Sequence, residues 1–204
     1  MGTRRLFIAI PVPLAVVDTQ PSLTEPATSP QVPTIKDLLT RLDSVGKPLR
    51  TVPVENLHLT LKFLGNTNEE LQNAVSRVLV SVAESEPRFS IAFCGLGTFP
   101  DIRRPSVVWA GVSSADPCVR LATACDHFLE PLGFEPEPRP YRPHLTLARV
   151  KQPLSDDRLK NLVTQMDDVE LATLDVTEIA LMESTPSPSG VAYRKLQSAR
   201  LSGC

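Results

Sequence analysis

His58-Leu59-Thr60-Leu61 and His144-Leu145-Thr146-Leu147 are the same tetrapeptide, and together they hold two of the chain's three histidines. In a strand alternate side chains face one way, so each copy presents an imidazole and a hydroxyl on one face and two leucines on the other. An imidazole titrates near pH 6.5, so of two that flank one cleft, one can be neutral while the other is protonated. That pair suits the opening of a phosphate ester. The neutral ring takes a proton from attacking water, and the protonated ring opposite gives one to the departing oxygen. The threonine hydroxyls donate to the nonbridging oxygens as charge builds there. A single His-x-Thr strand reads more simply as a half-exposed histidine beside a strand-favouring threonine; two copies at matched positions read as catalysis. His58 is expected as the acid and His144 as the base, although the likeness of the copies permits the reverse.

Other chemistries are poorly supplied. Cys94, Cys118, Cys125 and Cys204 form no C-x-x-C pair and no zinc-like spacing. Cys118 and Cys125 fall on one predicted helix, where they share an apolar face with Leu121 and Leu132 as small hydrophobes. His127 lies on the same helix and reads as a surface or capping residue. It does not pair with Cys125, because positions i and i+2 of a helix face apart. No carboxylate neighbours His58 or His144 within its strand, so neither a metal site nor any cofactor is expected.

The elements that must position the two histidines are legible from periodicity. Arg4 to Ile10 is a short apolar strand stopped by Pro11 and Pro13. Residues 18–34 are rich in Pro, Ser and Thr and are expected to be a flexible insertion. Ile35, Leu38, Leu39, Leu42 and Val45 then repeat at helical spacing, with Gly46 and Pro48 as stops. A strand is predicted over Leu57–Leu64, a helix opened by Asn68 with Leu71, Ala74, Val75, Val78 and Val82 inward, and a strand over Phe89–Leu96. The second half offers a strand over Ser106–Val112 and a helix with Asp116 as cap and Pro117 as first residue, ending at Gly133. A strand over Arg142–Val150 follows, then a helix capped by Ser155 with Leu159, Leu162, Val163 and Met166 inward. Strands at Val169–Met182 and Val191–Leu196 close the chain. Each half thus reads strand, helix, strand, helix, strand, with His-Leu-Thr-Leu in the strand after the first helix. The expectation is an α+β fold of two pseudo-symmetric lobes around a central cleft, forming one bilobal domain over residues 1–204.

Length and charge set the remaining bounds. At 204 residues and 42% hydrophobic, the chain can bury one good core or two small lobes that share an interface. A net charge of −2 gives no global attraction for nucleic acid, so any RNA contact must be local. Arg103, Arg104, Arg139, Arg142, Arg149, Arg194 and Lys195 form a local positive zone only if the fold gathers them. No apolar stretch approaches the length of a membrane span and residues 1–10 carry no cleavable signal, so a cytoplasmic monomer with reduced thiols is expected.

With these residues in view, the chain resembles the 2H phosphoesterase superfamily, whose signature is two His-x-Thr/Ser-x motifs. The longer segments Glu55-Asn56-Leu57-His58-Leu59-Thr60-Leu61-Lys62-Phe63-Leu64-Gly65 and Arg142-Pro143-His144-Leu145-Thr146-Leu147-Ala148-Arg149 resemble its RNA 2′,3′-cyclic phosphodiesterase branch, historically called 2′-5′ RNA ligase. Arg5-Leu6-Phe7-Ile8-Ala9-Ile10, Phe99-Pro100, Val108-Trp109-Ala110-Gly111 and Tyr193 extend the likeness over most of the chain. The resemblance implies two antiparallel sheets, each with two helices, around a groove. It implies catalysis by His58 and His144, phosphate contacts from Thr60 and Thr146, and packing of a nucleoside by Phe63 and Arg149. Strict alternation sets Phe63 and Arg149 on the leucine face, so they reach a nucleotide only through a bulge, strong twist or strand end. The implied reaction is hydrolysis of RNA 2′,3′-cyclic phosphate ends, or of small cyclic-phosphate nucleotides, to 2′-phosphomonoesters. The alternatives are the reverse 2′-5′ RNA ligation, a nucleotide-binding module without chemistry, and the same machinery acting on another small phosphoester.

Overall fold

The computed structural model describes residues 2–19, 32–154, 156–187 and 190–203. β1 (Arg4–Pro11) buries every residue from Leu6 to Ile10, as an interior strand covered on both faces must. A short helix α1 (Leu14–Asp18), absent from the sequence reading, follows. Residues 20–31, most of the expected insertion, lie outside the described residues. Thr34 caps α2 (Ile35–Asp43) with a reciprocal capping box: its hydroxyl accepts from Asp37 N–H and the Asp37 carboxylate accepts from Thr34 N–H. β2 (Leu49–Thr51), also unforeseen, leads to β3 (His58–Thr67) and to α3 (Glu69–Glu84), capped by Asn68. β4 (Phe89–Phe99) and β5 (Val107–Ser113) form a hairpin.

α4 (Asp116–Leu129) begins one residue earlier than expected: Asp116 lies inside the first turn and Ala115 is the cap. It stops at Leu129, and a tight turn carries the chain to Gly133 at φ 88°, a left-handed position suited to glycine. β6 (His144–Val150) precedes α5 (Asp157–Gln165), which is capped by the Asp156 carboxylate rather than by Ser155, a residue outside the described ones. The single strand expected at Val169–Met182 is two, β7 (Glu170–Val176) and β8 (Glu178–Ser187), and β9 (Gly190–Arg200) ends the fold.

The strands form two antiparallel sheets, ordered β3-β1-β8-β9 and β2-β6-β5-β4-β7. α3 and α4 pack on the first; α2 and α5 pack on the second. Two lobes with one sheet each are therefore present, as expected; the first carries two helices, and the second carries the short α1 besides α2 and α5. They are not the two halves of the chain, however. The first lobe takes β1, β3 and α3 from one half and α4, β8 and β9 from the other, so the chain crosses between lobes repeatedly. One continuous cluster of buried side chains joins them, and Leu59, Leu61, Leu145 and Leu147 all belong to it.

Candidate active site

β3 and β6 approach each other where the two sheets meet, which brings together the strands that carry the two His-Leu-Thr-Leu segments. The leucines point into the core and the histidines and threonines are half-buried, as alternation requires. Alternation then fails at the same place in both strands. On β3, Thr60 pairs with Ala9 but Lys62 pairs with Ile8, so Leu61 is an extra, bulged residue. On β6, Thr146 pairs with Trp109 but Ala148 pairs with Val108, so Leu147 is its counterpart. A bulge re-aims every side chain beyond it. Phe63 is accordingly 64% exposed instead of buried, and its ring lies 6.3 Å from that of Phe7, which itself touches His58. Arg149 is exposed as well. The two residues that simple alternation assigned to the core are thus exposed, Phe63 beside Phe7 and Arg149 near enough for its charge to act on His58.

The imidazoles are held alike. His58 Nδ1 lies 2.7 Å from the Asn56 carbonyl and His144 Nδ1 lies 2.8 Å from that of Arg142. A carbonyl only accepts, so each Nδ1 carries its hydrogen and each Nε2 is left for the cleft. Their surroundings differ. His58 packs between Phe7 at 4.9 Å and Tyr193 at 5.0 Å, the latter edge-on. His144 meets one ring, Phe99, edge-on at 5.2 Å, and Phe99 in turn stacks on Trp109 at 5.1 Å. Burial among these aromatics pushes the His58 pKa below its ordinary value; the positive charges of Arg149 and His144 push the same way, and the Asn56 carbonyl opposes them. His58 thus lies near enough to both Arg149 and His144 for their charges to act on it.

The Thr60 and Thr146 hydroxyls make no hydrogen bond among the described residues, which leaves both as donors for a ligand. The Tyr141 hydroxyl donates to the Thr60 carbonyl at 2.9 Å, tying the segment before β6 to β3 across the cleft. Lys62, carried inward by the bulge, is 6% exposed and gives its ammonium to Asp126 and to the Glu135 carbonyl. Sequence reasoning had no role for Lys62, Tyr141 or Phe7, because each acts through a partner remote in the chain.

The remaining candidates separate cleanly. Cys118 and Cys125 are buried on α4, where burial pushes each thiol up to about 12 and removes its nucleophilicity; Leu132, expected beside them, is only partly buried. His127 is exposed on the same helix and packs against Phe128. Of the positive zone, Arg194 and Lys195 are engaged elsewhere, with Glu183 at 2.6 Å and Glu178 at 3.0 Å. Among the described residues, no group of three or more His, Cys, Asp or Glu side chains is placed to hold a metal ion, and no helix is long and apolar enough to cross a membrane.

Two lobes closing on a pair of identically bulged His-x-Thr strands define a 2H phosphoesterase fold. Within that class the chain belongs to the 2′-5′ RNA ligase superfamily, whose sequence pattern matches residues 28–187. An RNA 2′,3′-cyclic phosphodiesterase of Aeropyrum pernix is 37% identical over 152 residues, covering 74% of this chain and 85% of that protein. One of Archaeoglobus fulgidus is 32% identical over 193 residues, 95% of this chain and 98% of that one. A crystal structure from Thermus thermophilus superposes with a TM-score of 0.77 at 26% identity over 98% of both chains. E. coli LigT complexed with 3′-AMP superposes with a TM-score of 0.71 over 98% of this chain and 99% of its own; at 23% identity that likeness concerns the fold.

Proposed function

We propose that this protein hydrolyses 2′,3′-cyclic phosphates at RNA ends to 2′-phosphomonoesters, with His58 and His144 as a general acid-base pair and without a bound metal. The observation that carries the proposal is the matched seating of two imidazoles, each locked through Nδ1 on a backbone carbonyl with Nε2 left for the cleft. The relatives named RNA 2′,3′-cyclic phosphodiesterase support the choice of substrate.

The neutral imidazole takes a proton from water as the water oxygen bonds to phosphorus. The bond from phosphorus to O3′ breaks, and the opposing imidazolium protonates O3′, leaving a free 3′-hydroxyl and a 2′-phosphate. Thr60 and Thr146 donate to the nonbridging oxygens. Phe63 and Arg149, turned outward by the two bulges, pack on the terminal nucleoside by face contacts that are indifferent to base identity. Both lobes act as one unit, a monomer in the reducing cytoplasm, whose poise suits the free thiols of Cys118 and Cys125.

The test uses an oligoribonucleotide ending in a 2′,3′-cyclic phosphate, with chelator present. Conversion to a 2′-phosphate is expected. His58→Ala and His144→Ala should each lose about 10²- to 10⁴-fold in turnover, the range for a positioned proton donor or acceptor. Normal turnover in either variant removes the acid-base assignment, and binding of a nucleoside 2′-phosphate without turnover by the wild type leaves a binding module.

A further inference from the structure

Past Arg149, β6 runs out beside a cavity of about 670 Å³ lined by Arg103, Arg104, Lys151, Gln152 and Leu154 among others, with no acidic residue in its wall. The cavity lies between two loops that the backbone ties in place. Val150 N–H donates to the Ser106 carbonyl at 2.9 Å and Lys151 N–H to that of Pro48 at 2.7 Å. Arg103 leans on Asp101 at 3.4 Å, whereas Arg104 and Lys151 have no carboxylate partner among the described residues.

A second observation lies one residue before the cavity. Arg149 on β6 stands directly opposite Arg50 on β2. Opposite residues of an antiparallel pair share a face, and like charges there repel. Neither arginine has a carboxylate partner among the described residues, which leaves both guanidinium groups available to an anion. The Arg50 guanidinium lies against the backbone of Gly190 at the start of β9, so close that a Cβ there would stand 3.1 Å from it. Arg149 and Lys151 stand two residues, about 7 Å, apart along the strand direction, roughly twice the 3.4 Å between stacked nucleotides of one strand, with Arg50 opposite Arg149 on β2 and Arg104 lining the same cavity as Lys151. Four cations without carboxylate partners among the described residues, spread over β2, the end of β6 and the cavity wall, fit successive phosphates of a polyanion better than one phosphate.

We infer that Arg50, Arg104 and Lys151, continuing from Arg149, form a track for the phosphate backbone of single-stranded RNA upstream of the cyclic end. The substrate is then the end of an oligoribonucleotide in preference to a cyclic mononucleotide. The inference rests on the hydrolytic reading for the nature of that end, and the track itself is testable by binding alone.

The experiment compares wild type with the double variant Arg104→Gln/Lys151→Gln, neither residue touching the reacting atoms. Turnover is measured on a uridine 2′,3′-cyclic mononucleotide and on oligouridylates of two, four and eight residues with the same end. Binding of the matching 2′-phosphate products is followed by fluorescence anisotropy across a salt series. Wild type should gain at least tenfold in kcat/KM from one residue to eight. The variant should lose most of that gain, keep its mononucleotide rate, and show a salt slope smaller by about 1.4, the value for two lost phosphate contacts on a single strand. Binding that does not depend on length overturns the track while leaving hydrolysis standing. A variant that falls equally on mononucleotide and octamer also overturns it, since the cavity then belongs to the terminal site. Length-dependent binding without turnover on any substrate upholds the track and removes the hydrolytic reading instead. Displacement of octamer and mononucleotide by inorganic phosphate at equal potency marks a single-anion site and overturns the inference.

Discussion

Gly97→Ala tests whether the aromatic scaffold behind His144 is mechanically continuous with it. A Cβ at Gly97 would lie 2.2 Å from Cζ2, 2.3 Å from Cη2 and 2.7 Å from Cε2 of Trp109. Carbon atoms sit comfortably at about 3.5–4.0 Å, so the indole must retreat by about 1.3–1.8 Å. Little opposes that retreat except packing, since the buried Trp109 Nε1 has no hydrogen-bond partner among the described residues. What lies in the way is Phe99, at 5.1 Å, and beyond it His144, at 5.2 Å. Forcing extra volume into a packed site costs about 1–3 kcal/mol, which lowers the folding equilibrium constant about 5- to 150-fold. Trp109 is the only tryptophan, so its fluorescence reports the displacement without interference. Urea unfolding, the emission spectrum and kcat on a cyclic-phosphate end should therefore change together. Adding Trp109→Phe, which removes the clashing benzo carbons, should restore stability and rate beyond what the two single changes would sum to. Unaltered emission with normal kcat, or strictly additive effects in the double variant, would refute the chain of contacts from Gly97 to His144.

Other consequences are as direct. Arg149→Gln removes a positive charge that helps hold the His58 pKa below 6.5, so that pKa should rise. In the pH profile of kcat/KM the acidic limb moves up if His58 is the base and the alkaline limb moves up if it is the acid; a profile in which neither limb moves rejects the placement of Arg149 beside His58. Asp126→Ala leaves the Lys62 ammonium buried without its carboxylate and should cost about 3 kcal/mol in urea unfolding, and Lys62→Met should cost less because Asp126 retains access to water. Tyr141→Phe removes the bond to the Thr60 carbonyl and should lower stability by about 1 kcal/mol with a larger proportional loss in kcat than in KM; a pure stability effect would show that the tie between strands does not align the histidines.

The sequence made the chemistry more legible than the topology. Two identical tetrapeptides, their parity and their leucine backing are local facts, and the buried Leu59, Leu61, Leu145 and Leu147 agree with them. Helix positions followed from 3.6-residue spacing, and the errors at their starts, Asp156 for Ser155 and Ala115 for Asp116, arose where neighbouring residues compete for one cap. The crossing of the chain between lobes was invisible. Around Thr177 the chain leaves one sheet for the other, yet Leu171, Leu174, Val176, Ile179 and Leu181 keep their apolar pattern through the turn, so nothing in polarity marks it. The bulges were invisible for a related reason. A bulge is a mismatch in count between two strands, Ile8 and Ala9 against Thr60 to Lys62, and one strand read alone does not contain it.

Those bulges resolve a conflict between core and site that a regular strand cannot. A period of two fixes the leucines inside and the histidine with the threonine outside, and then sends the residue three beyond the threonine into the core. For Arg149 that position would bury a charge among apolar neighbours, at a cost that no pairing there offsets. One extra residue at Leu147 lets both leucines stay buried while the guanidinium emerges beside the imidazoles, and the same device at Leu61 brings out Phe63 and takes Lys62 inward to Asp126. Strands of otherwise equal plan thereby expose a cation on β6 and a phenyl ring on β3. Two equal His-Thr pairs alone would hold a phosphate equally well in either sense. On the proposed reading the unlike pair of Phe63 and Arg149 gives the site a direction, and Lys151, just past the end of β6, continues it on the Arg149 side.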